Sequence, residues 1–111
     1  MESQNIPEKD WKYFKTLKEN ILNRFSKVTL SRINIIIASK EIPSKHEKYL
    51  QVYDYIMERD EELGTALDNF RRSNAKEKIA VIYQMELIKP AEFELFTDET
   101  KQFINEFNGI K

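Results

Sequence analysis

Apolar residues recur at alternating intervals of three and four between residues 49 and 70, which is the period of an amphipathic α-helix. The row is Tyr49, Tyr53, Ile56, Leu63, Leu67 and Phe70, with Asp60 occupying one of its positions. Ser44 follows Pro43 and stands three residues before Glu47, the spacing of a capping box at the start of a helix. The pattern predicts one long helix over residues 44–72.

A helix over residues 44–72 would be about 42 Å long. That length exceeds the width of a compact domain of this size, whose radius of gyration is roughly 13 Å. We therefore expect either that Gly64 bends or splits the helix, or that one end of it projects.

A second helical stripe runs through the first third of the chain. Its apolar members are Phe14, Leu17, Ile21, Phe25, Val28, Leu30, Ile33, Ile36 and Ile37. Glu8 and Asp10 suit its first turn, because acidic side chains stabilise the positive end of a helix. Neither glycine nor proline interrupts residues 8–39, so a single helix is one interpretation. We predict a kink or break near residues 26–29, where short polar side chains compete for backbone hydrogen bonds.

Shorter helices are predicted in the last third of the chain. Their expected caps or first residues are Ser73 or Asn74, Pro90 and Thr97. The apolar run at residues 33–37 has the residue types of a β-strand, but the chain offers no second strand to pair with it, so we expect a buried helix end there. The predicted fold class is therefore all-α, a single compact bundle of about five helices with the long helix 44–72 at its centre. We expect residues 1–7 to form a flexible N-terminal lead and residues 8–111 to form one helical domain.

Composition narrows the class of protein further. Hydrophobic residues make up 41% of the chain and charged residues 33%, which allows both a core and a well-solvated surface. The net charge of −1, from 18 basic and 19 acidic residues, argues against a general polyanion binder. There is no cysteine, and no apolar stretch approaches the ~18 residues of a membrane span. We expect a cytoplasmic protein that does not associate with membranes.

No pattern in the sequence indicates catalysis, a cofactor or a metal. His46 is the only histidine, cysteine is absent, and the two glycines cannot form a phosphate-binding loop. The carboxylates among residues 58–62 are nearly consecutive, so on a helix they would point around the axis rather than toward one ion. We expect a protein without enzymatic activity that holds no cofactor and no metal.

Asp60 is unusual because it takes a position in an otherwise apolar row. A carboxylate buried there would need a cationic or hydrogen-bonding partner, and Arg24 or Arg32 on the preceding helix could supply it. The favoured interpretation is a structural pair, or an aspartate at the edge of the core. The alternative is a carboxylate in a binding pocket.

The segment ALDNFRRSNA, residues 66–75, concentrates polar side chains where one predicted helix ends and the next begins. Asp68 lies three residues before Arg71 and four before Arg72, the spacing of neighbours on a helix, so we predict that it pairs with them. Arginines also suit a helix C-terminus. Because Arg71 lies on an inward row of the predicted helix, Arg72 is the arginine expected to be left without a partner.

Trp11, Tyr13 and Phe14 place three aromatic rings on nearly adjacent positions. Successive helical residues differ by about 100° in direction, so these rings cannot all face one neighbour. Either other segments cover this helix on two sides, or one ring is exposed to a protein partner. We favour packing under the C-terminal helices.

Two functions remain open at this stage. The first is a protein-interaction or regulatory module whose partner is an unknown protein or a second copy of the chain, joined through the long helix or the aromatic first helix. The second is a nucleic-acid-associated protein that uses a local basic patch. The patch would consist of Arg71, Arg72, Lys76 and Lys78.

Overall fold

A computed structural model describes residues 5–109 of the chain, and this part is all-α, as predicted. Five helices and no strands are found there. The helices are α1 (Glu8–Ala38), α2 (Lys45–Leu67), α3 (Ala75–Gln84), α4 (Pro90–Phe93) and α5 (Asp98–Phe107). Residues 1–4 of the expected N-terminal lead, and residues 110 and 111, lie outside the described range.

The longest helix is α1, which continues without interruption through residues 26–29. The predicted break there is wrong. The Thr29 hydroxyl donates to the Phe25 carbonyl one turn earlier, at 2.9 Å. Its side chain therefore bonds inside the helix and leaves the backbone ladder intact.

The helix α2 begins as predicted and ends early. Ser44 is its N-cap, and the Ser44 Oγ accepts the Glu47 amide at 3.1 Å. The helix passes through Gly64 but stops at Leu67, so the predicted end at residue 72 is wrong. Asp68 is already in an extended conformation, with φ −67° and ψ 143°.

Residues 68–74 form a corner stabilised by the side chain of Asn74. Its Oδ1 accepts the Arg71 amide and its Nδ2 donates to the Asn69 carbonyl, both at 2.9 Å. Asn69 has a φ of +57°, a left-handed conformation that asparagine tolerates better than most residues. These bonds replace the helical bonds that would have continued α2.

The hydrophobic core occupies one end of the molecule. The first half of α1 supplies Phe14, Leu17, Ile21 and Phe25, and α3 and α5 pack against this stripe and against each other. Ile6, within the expected N-terminal lead, is also buried, and its amide donates to the Arg72 carbonyl at 3.1 Å. The packed part of the chain therefore includes Ile6, before the start of α1.

Beyond the core, the second half of α1 and the first half of α2 continue side by side as a projecting helical hairpin. The radius of gyration is 17.0 Å and the molecule measures 52 × 26 × 26 Å. A compact domain of this length would have a radius of gyration of roughly 13 Å. The bundle is therefore elongated, and the N-terminal end of α2 projects from it. No helix in residues 5–109 has the length and apolarity needed to cross a membrane.

Candidate functional site

The projecting hairpin carries most of the exposed apolar surface. Nine of the eleven large hydrophobic side chains that are exposed in residues 5–109 lie on it, with exposed fractions between 38% and 64%. They are Val28, Leu30, Ile35 and Ile37 on α1, and Tyr49, Leu50, Tyr53, Ile56 and Met57 on α2. A concentration of this kind on one element commonly marks an interaction surface.

Seven of these side chains form one surface, here called the hairpin face. Its members are Leu30, Ile37, Tyr49, Leu50, Tyr53, Ile56 and Met57. Leu30 and Ile33 line a groove with Ile56, and near the tip Ile37 lines a groove with Tyr49. At about 100° per residue, the five members on α2 fall within an arc of about 120°. The face therefore combines a stripe of α2 with the adjoining flank of α1.

Val28 and Ile35 lie on the other flank of α1. They line a separate groove of about 720 Å³ with Met85 and Leu87. This groove faces the loop between α3 and α4, so Ile35 is exposed without belonging to the hairpin face.

Arg59 anchors the base of the hairpin. Its Nε donates to the Thr29 Oγ1 at 2.8 Å, and its Nη2 donates to the Phe25 carbonyl at 3.3 Å. The guanidinium also lies 3.8 Å from the centre of the Phe25 ring, a cation–π contact. At the tip, the Lys48 Nζ donates to the Ile37 carbonyl at 2.6 Å. Polar bonds thus join α1 to α2 at both ends of the apolar face.

Charge is distributed unevenly along α2. Its N-terminal turn carries Lys45, His46 and Lys48 with one acid, Glu47. The later part carries five acids and one base, Arg59. The acids are Asp54, Glu58, Asp60, Glu61 and Glu62. The hairpin is therefore basic at its tip and acidic toward its base.

Asp60 lies at the edge of the groove beside Ile56 and is exposed. The expected pairing with Arg24 or Arg32 is not formed, because Arg24 binds Glu92. Arg59, one residue earlier on α2, makes the polar contacts with α1 instead, to Thr29 and Phe25. Arg59, which the sequence did not single out, is the ion that α2 places against α1.

The roles predicted for the two arginines of the corner are reversed in the structure. The Arg72 Nη1 lies 2.8 Å from the Glu8 Oε1, and its guanidinium lies 5.4 Å from the centre of the Trp11 ring. Arg71 is exposed, and within residues 5–109 its side chain has no ion pair. Asp68 does not pair with either arginine. The helical spacing on which that pairing depended does not apply, because α2 has already ended.

The N-terminal aromatic residues are covered on two sides. Trp11 and Phe14 both stack on Phe70, at ring distances of 5.6 and 4.9 Å. Tyr13 points the other way, 5.0 Å from the Phe96 ring, and its hydroxyl donates to the Glu92 carbonyl at 2.8 Å. Burial raises the pKa of Tyr13, and the nearby Glu92 carboxylate adds to this. Trp11 and Tyr13 therefore both belong to the packing. Tyr13 lies against the C-terminal segment, as the favoured interpretation predicts, whereas Trp11 packs on Phe70 of the corner instead.

A bidentate ion pair that the sequence did not indicate joins α1 to α4. The Arg24 Nη1 and Nη2 lie 2.6 and 2.7 Å from the two carboxylate oxygens of Glu92, and Nη1 also donates to the Leu87 carbonyl at 2.9 Å. The hydrogen bonds from Arg24 hold the pKa of Glu92 below its usual value, and those to Glu92 raise the pKa of Arg24. The pair fixes the start of α4 against the core.

Asp10 is a second polar contact that pattern alone did not reveal. It is fully buried and accepts three hydrogen bonds, from the Thr97 amide at 3.0 Å and from the Thr97 and Thr100 hydroxyls at 2.6 Å. Its carboxylate thus caps the N-terminus of α5. The sequence placed Asp10 in the first turn of α1, but nothing local could indicate a partner almost ninety residues away.

In the part of the chain that the structure describes, no group of three or more histidine or acidic side chains could hold a metal ion. No protein-family model, curated protein or solved structure matches this chain. Within residues 5–109, the hairpin face is a surface where large apolar side chains are exposed to solvent without a contact that explains their exposure.

Proposed function

We propose that this protein is a non-enzymatic protein-interaction module and that the hairpin face is its binding surface. One observation carries the proposal: seven large apolar side chains form one exposed face on a hairpin whose two helices are joined by polar bonds at both ends. Leaving such a surface in water forgoes the free energy of burying it. A partner that covers the face would recover that free energy.

The composition of the face suits a protein partner. Tyr49 and Tyr53 present large rings with few rotatable bonds, and tyrosine is enriched among the residues that dominate binding energy at interfaces. The surface is long and shallow, with helices on both sides of the groove. A helical partner with its own apolar stripe would fit it. A regulatory role in the cytoplasm, as expected from the sequence, is part of the same proposal.

Nucleic-acid binding through the basic patch has less support. Arg72 pairs with Glu8, Lys76 is buried and pairs with Glu99 at 3.1 Å, and Lys78 donates to the Thr65 carbonyl at 2.8 Å. Three of the four cations thus have partners inside the chain. Affinity for a polyanion depends on several cations that are free to neutralise phosphates.

Photo-crosslinking in the native host tests the proposal. A photoreactive amino acid replaces Tyr53 on the hairpin face in one variant and the exposed Glu77 on α3 in the other. We expect discrete protein adducts from position 53 and none of comparable yield from position 77. No adduct from position 53, or equal yields from both positions, would contradict the proposal.

A further inference from the structure

We propose that the hairpin face binds a second copy of this chain, with the two α2 helices antiparallel and a two-fold axis passing at Tyr53. This inference rests on the proposed function, because it names the occupant of the same surface. It is carried by the order of apolar and charged residues along α2 and by the area of the face.

A two-fold axis perpendicular to α2 makes residues at equal distances before and after the axis face each other. With Tyr53 on the axis, Leu50 lies opposite Ile56 of the second copy, and Tyr49 lies opposite Met57. These positions are three and four residues from the axis, the spacing that keeps side chains in the seam between two helices. Each contact at the centre of the interface is then apolar on both sides.

Farther from the axis, α2 is basic at its N-terminal end and acidic toward its C-terminal end, so the antiparallel arrangement places each basic end beside the acidic end of the second copy. His46 and Asp60 lie seven residues either side of Tyr53, and Lys45 and Glu61 lie eight either side. By the same rotation of about 100° per residue, positions 46 and 60 fall within the stripe and positions 45 and 61 fall on its two opposite edges. The antiparallel arrangement brings base and acid together at both ends of the contact.

A parallel arrangement would reverse this matching. It would bring the two basic ends of α2 to one end of the contact and the two acidic ends to the other, and like charges at an interface weaken association. The charge order of α2 therefore favours one orientation of a second copy.

The size of the face agrees with this occupant. Its seven side chains expose about 700 Å² per copy, taking about 200 Å² for each such residue when fully exposed. Stable interfaces bury about 800 Å² per partner. Leu30 and Ile37 flank the α2 stripe on the side where Tyr49 and Ile56 of the second copy would lie.

The base of the hairpin leaves room for the tip of the second copy. An open cleft of about 450 Å³ lies there, and Asp60, Glu61, Thr65 and Lys78 are among the residues that line it. Lys45 and His46 of the second copy would approach its acidic edge.

Sedimentation and light scattering of the purified full chain test the occupant. We expect a species of twice the 13.3 kDa chain mass that dissociates on dilution. Tyr53→Lys puts two cations on the axis and should weaken association at least about tenfold. Ile35→Lys adds the same charge on the other flank of α1 and should leave it within about threefold. Circular dichroism establishes that both variants are folded.

A chain that stays monomeric up to about 1 mM overturns the inference, because weaker association would have no role at cellular concentrations. Equal effects of Tyr53→Lys and Ile35→Lys would overturn it too. If the chain is monomeric while position 53 crosslinks to a different protein, the proposed function stands and this inference falls. If position 53 also gives no adduct, both fall.

A charge exchange tests the orientation. Lys45→Glu alone adds an acid at each end of the contact, beside the acids of the second copy, and Glu61→Lys alone adds a lysine at each end, beside the lysines of the second copy. Each variant should associate at least about threefold more weakly with itself than the native chain does. In an equimolar mixture of the two variants, a dimer with one copy of each has opposite charges facing each other at both ends. The mixture should therefore regain native-like affinity, and a mixture no tighter than either variant alone contradicts the antiparallel arrangement.

Discussion

The two halves of α1 have the same kind of sequence and opposite surroundings. Phe14, Leu17, Ile21 and Phe25 in the first half are buried, whereas Val28, Leu30, Ile35 and Ile37 in the second half are exposed. The buried set recurs at intervals of three and four, and the exposed set consists of two pairs, Val28 with Ile35 and Leu30 with Ile37, each separated by seven residues or two helical turns. The difference is that α3 and α5 pack only beside the first half. Apolar periodicity thus identifies a helix, but it does not identify what covers that helix.

Two aspartates give a polar version of the same comparison. Asp10 is fully buried and accepts three hydrogen bonds from the start of α5. Asp60, in an apolar row, is exposed at the edge of a groove. The pattern left open whether Asp60 is paired in the core or lies at its edge, and it gave no sign that Asp10 is buried, because it shows a helical neighbourhood and not the segments that fold onto it.

The largest difference in the free energy of unfolding should be between alanine substitutions of one isoleucine in each half of α1. Ile21 is 0% exposed and Ile35 is 60% exposed. Ile21→Ala should lower the free energy of unfolding by about 2–5 kcal/mol, because it leaves a cavity in the core. Ile35→Ala should change it by less than about 0.5 kcal/mol. Urea denaturation measures both, and equal losses would mean that the hairpin is packed as tightly as the core.

The second largest difference in the free energy of unfolding should be between alanine substitutions of the two aspartates. Asp10→Ala removes a charged acceptor from three donors and should cost about 2–3 kcal/mol of unfolding free energy. Asp60→Ala should cost less than about 0.5 kcal/mol when measured at a concentration where the chain is monomeric. Asp54→Ala, another exposed change on α2, is the control for Asp60. A larger loss at Asp60 than at Asp10 would show that the burial of the two residues has been assigned the wrong way round.

The pair between Arg24 and Glu92 should make stability depend on pH. Its lowered pKa means that the Glu92 carboxylate contributes fully above its pKa in the unfolded chain, about 4.3, and that this contribution is lost as the pH falls through the folded pKa. Glu92→Gln should cost about 1–2 kcal/mol at pH 7 and progressively less below about pH 4.

Denaturation curves across this pH range measure the effect of Glu92→Gln. Glu77→Gln, at an exposed position on α3, is the matched control and should change stability by less than about 0.5 kcal/mol throughout. A cost for Glu92→Gln that stays constant into acid would argue against a charged pair.

The smallest difference in the free energy of unfolding should be between alanine substitutions of the two arginines of the corner. Arg72→Ala breaks an exposed ion pair with Glu8 and should cost about 0.2–1 kcal/mol. Arg71→Ala should cost nothing measurable. Trp11 is the only tryptophan and lies beside Arg72, so its fluorescence should change in the first variant alone. A change with Arg71→Ala instead would restore the sequence-based assignment.

Local signals predicted most of the helices. The Ser44 capping box, the proline at the start of α4 and Thr97 before α5 all lie at the helix starts in the structure. The failures occurred where a longer-range contact decided the outcome. Helical spacing of apolar residues predicts that α2 continues to residue 72. In the structure, the hydrogen bonds of the Asn74 side chain stabilise a turn of the chain before that point.

The candidate site was visible in the sequence but was assigned to the wrong environment. Tyr49, Tyr53 and Ile56 form one row in the sequence, and apolar periodicity predicts that such a row faces the core. One expectation did anticipate the result: a helix of that length exceeds a compact domain, so one end should project. The sequence could not show that the projecting end would be the one that carries the tyrosines.

By itself, the sequence determined that the chain is helical and where most helices begin, because caps and apolar periodicity act over a few neighbouring residues. Only the tertiary structure decided which apolar rows are buried. At 1.5 Å per residue, α1 spans about 46 Å, whereas α3 and α5, with ten residues each, span about 15 Å. The short helices cannot cover the full length of α1 and α2, and for this geometric reason the hairpin face stays open.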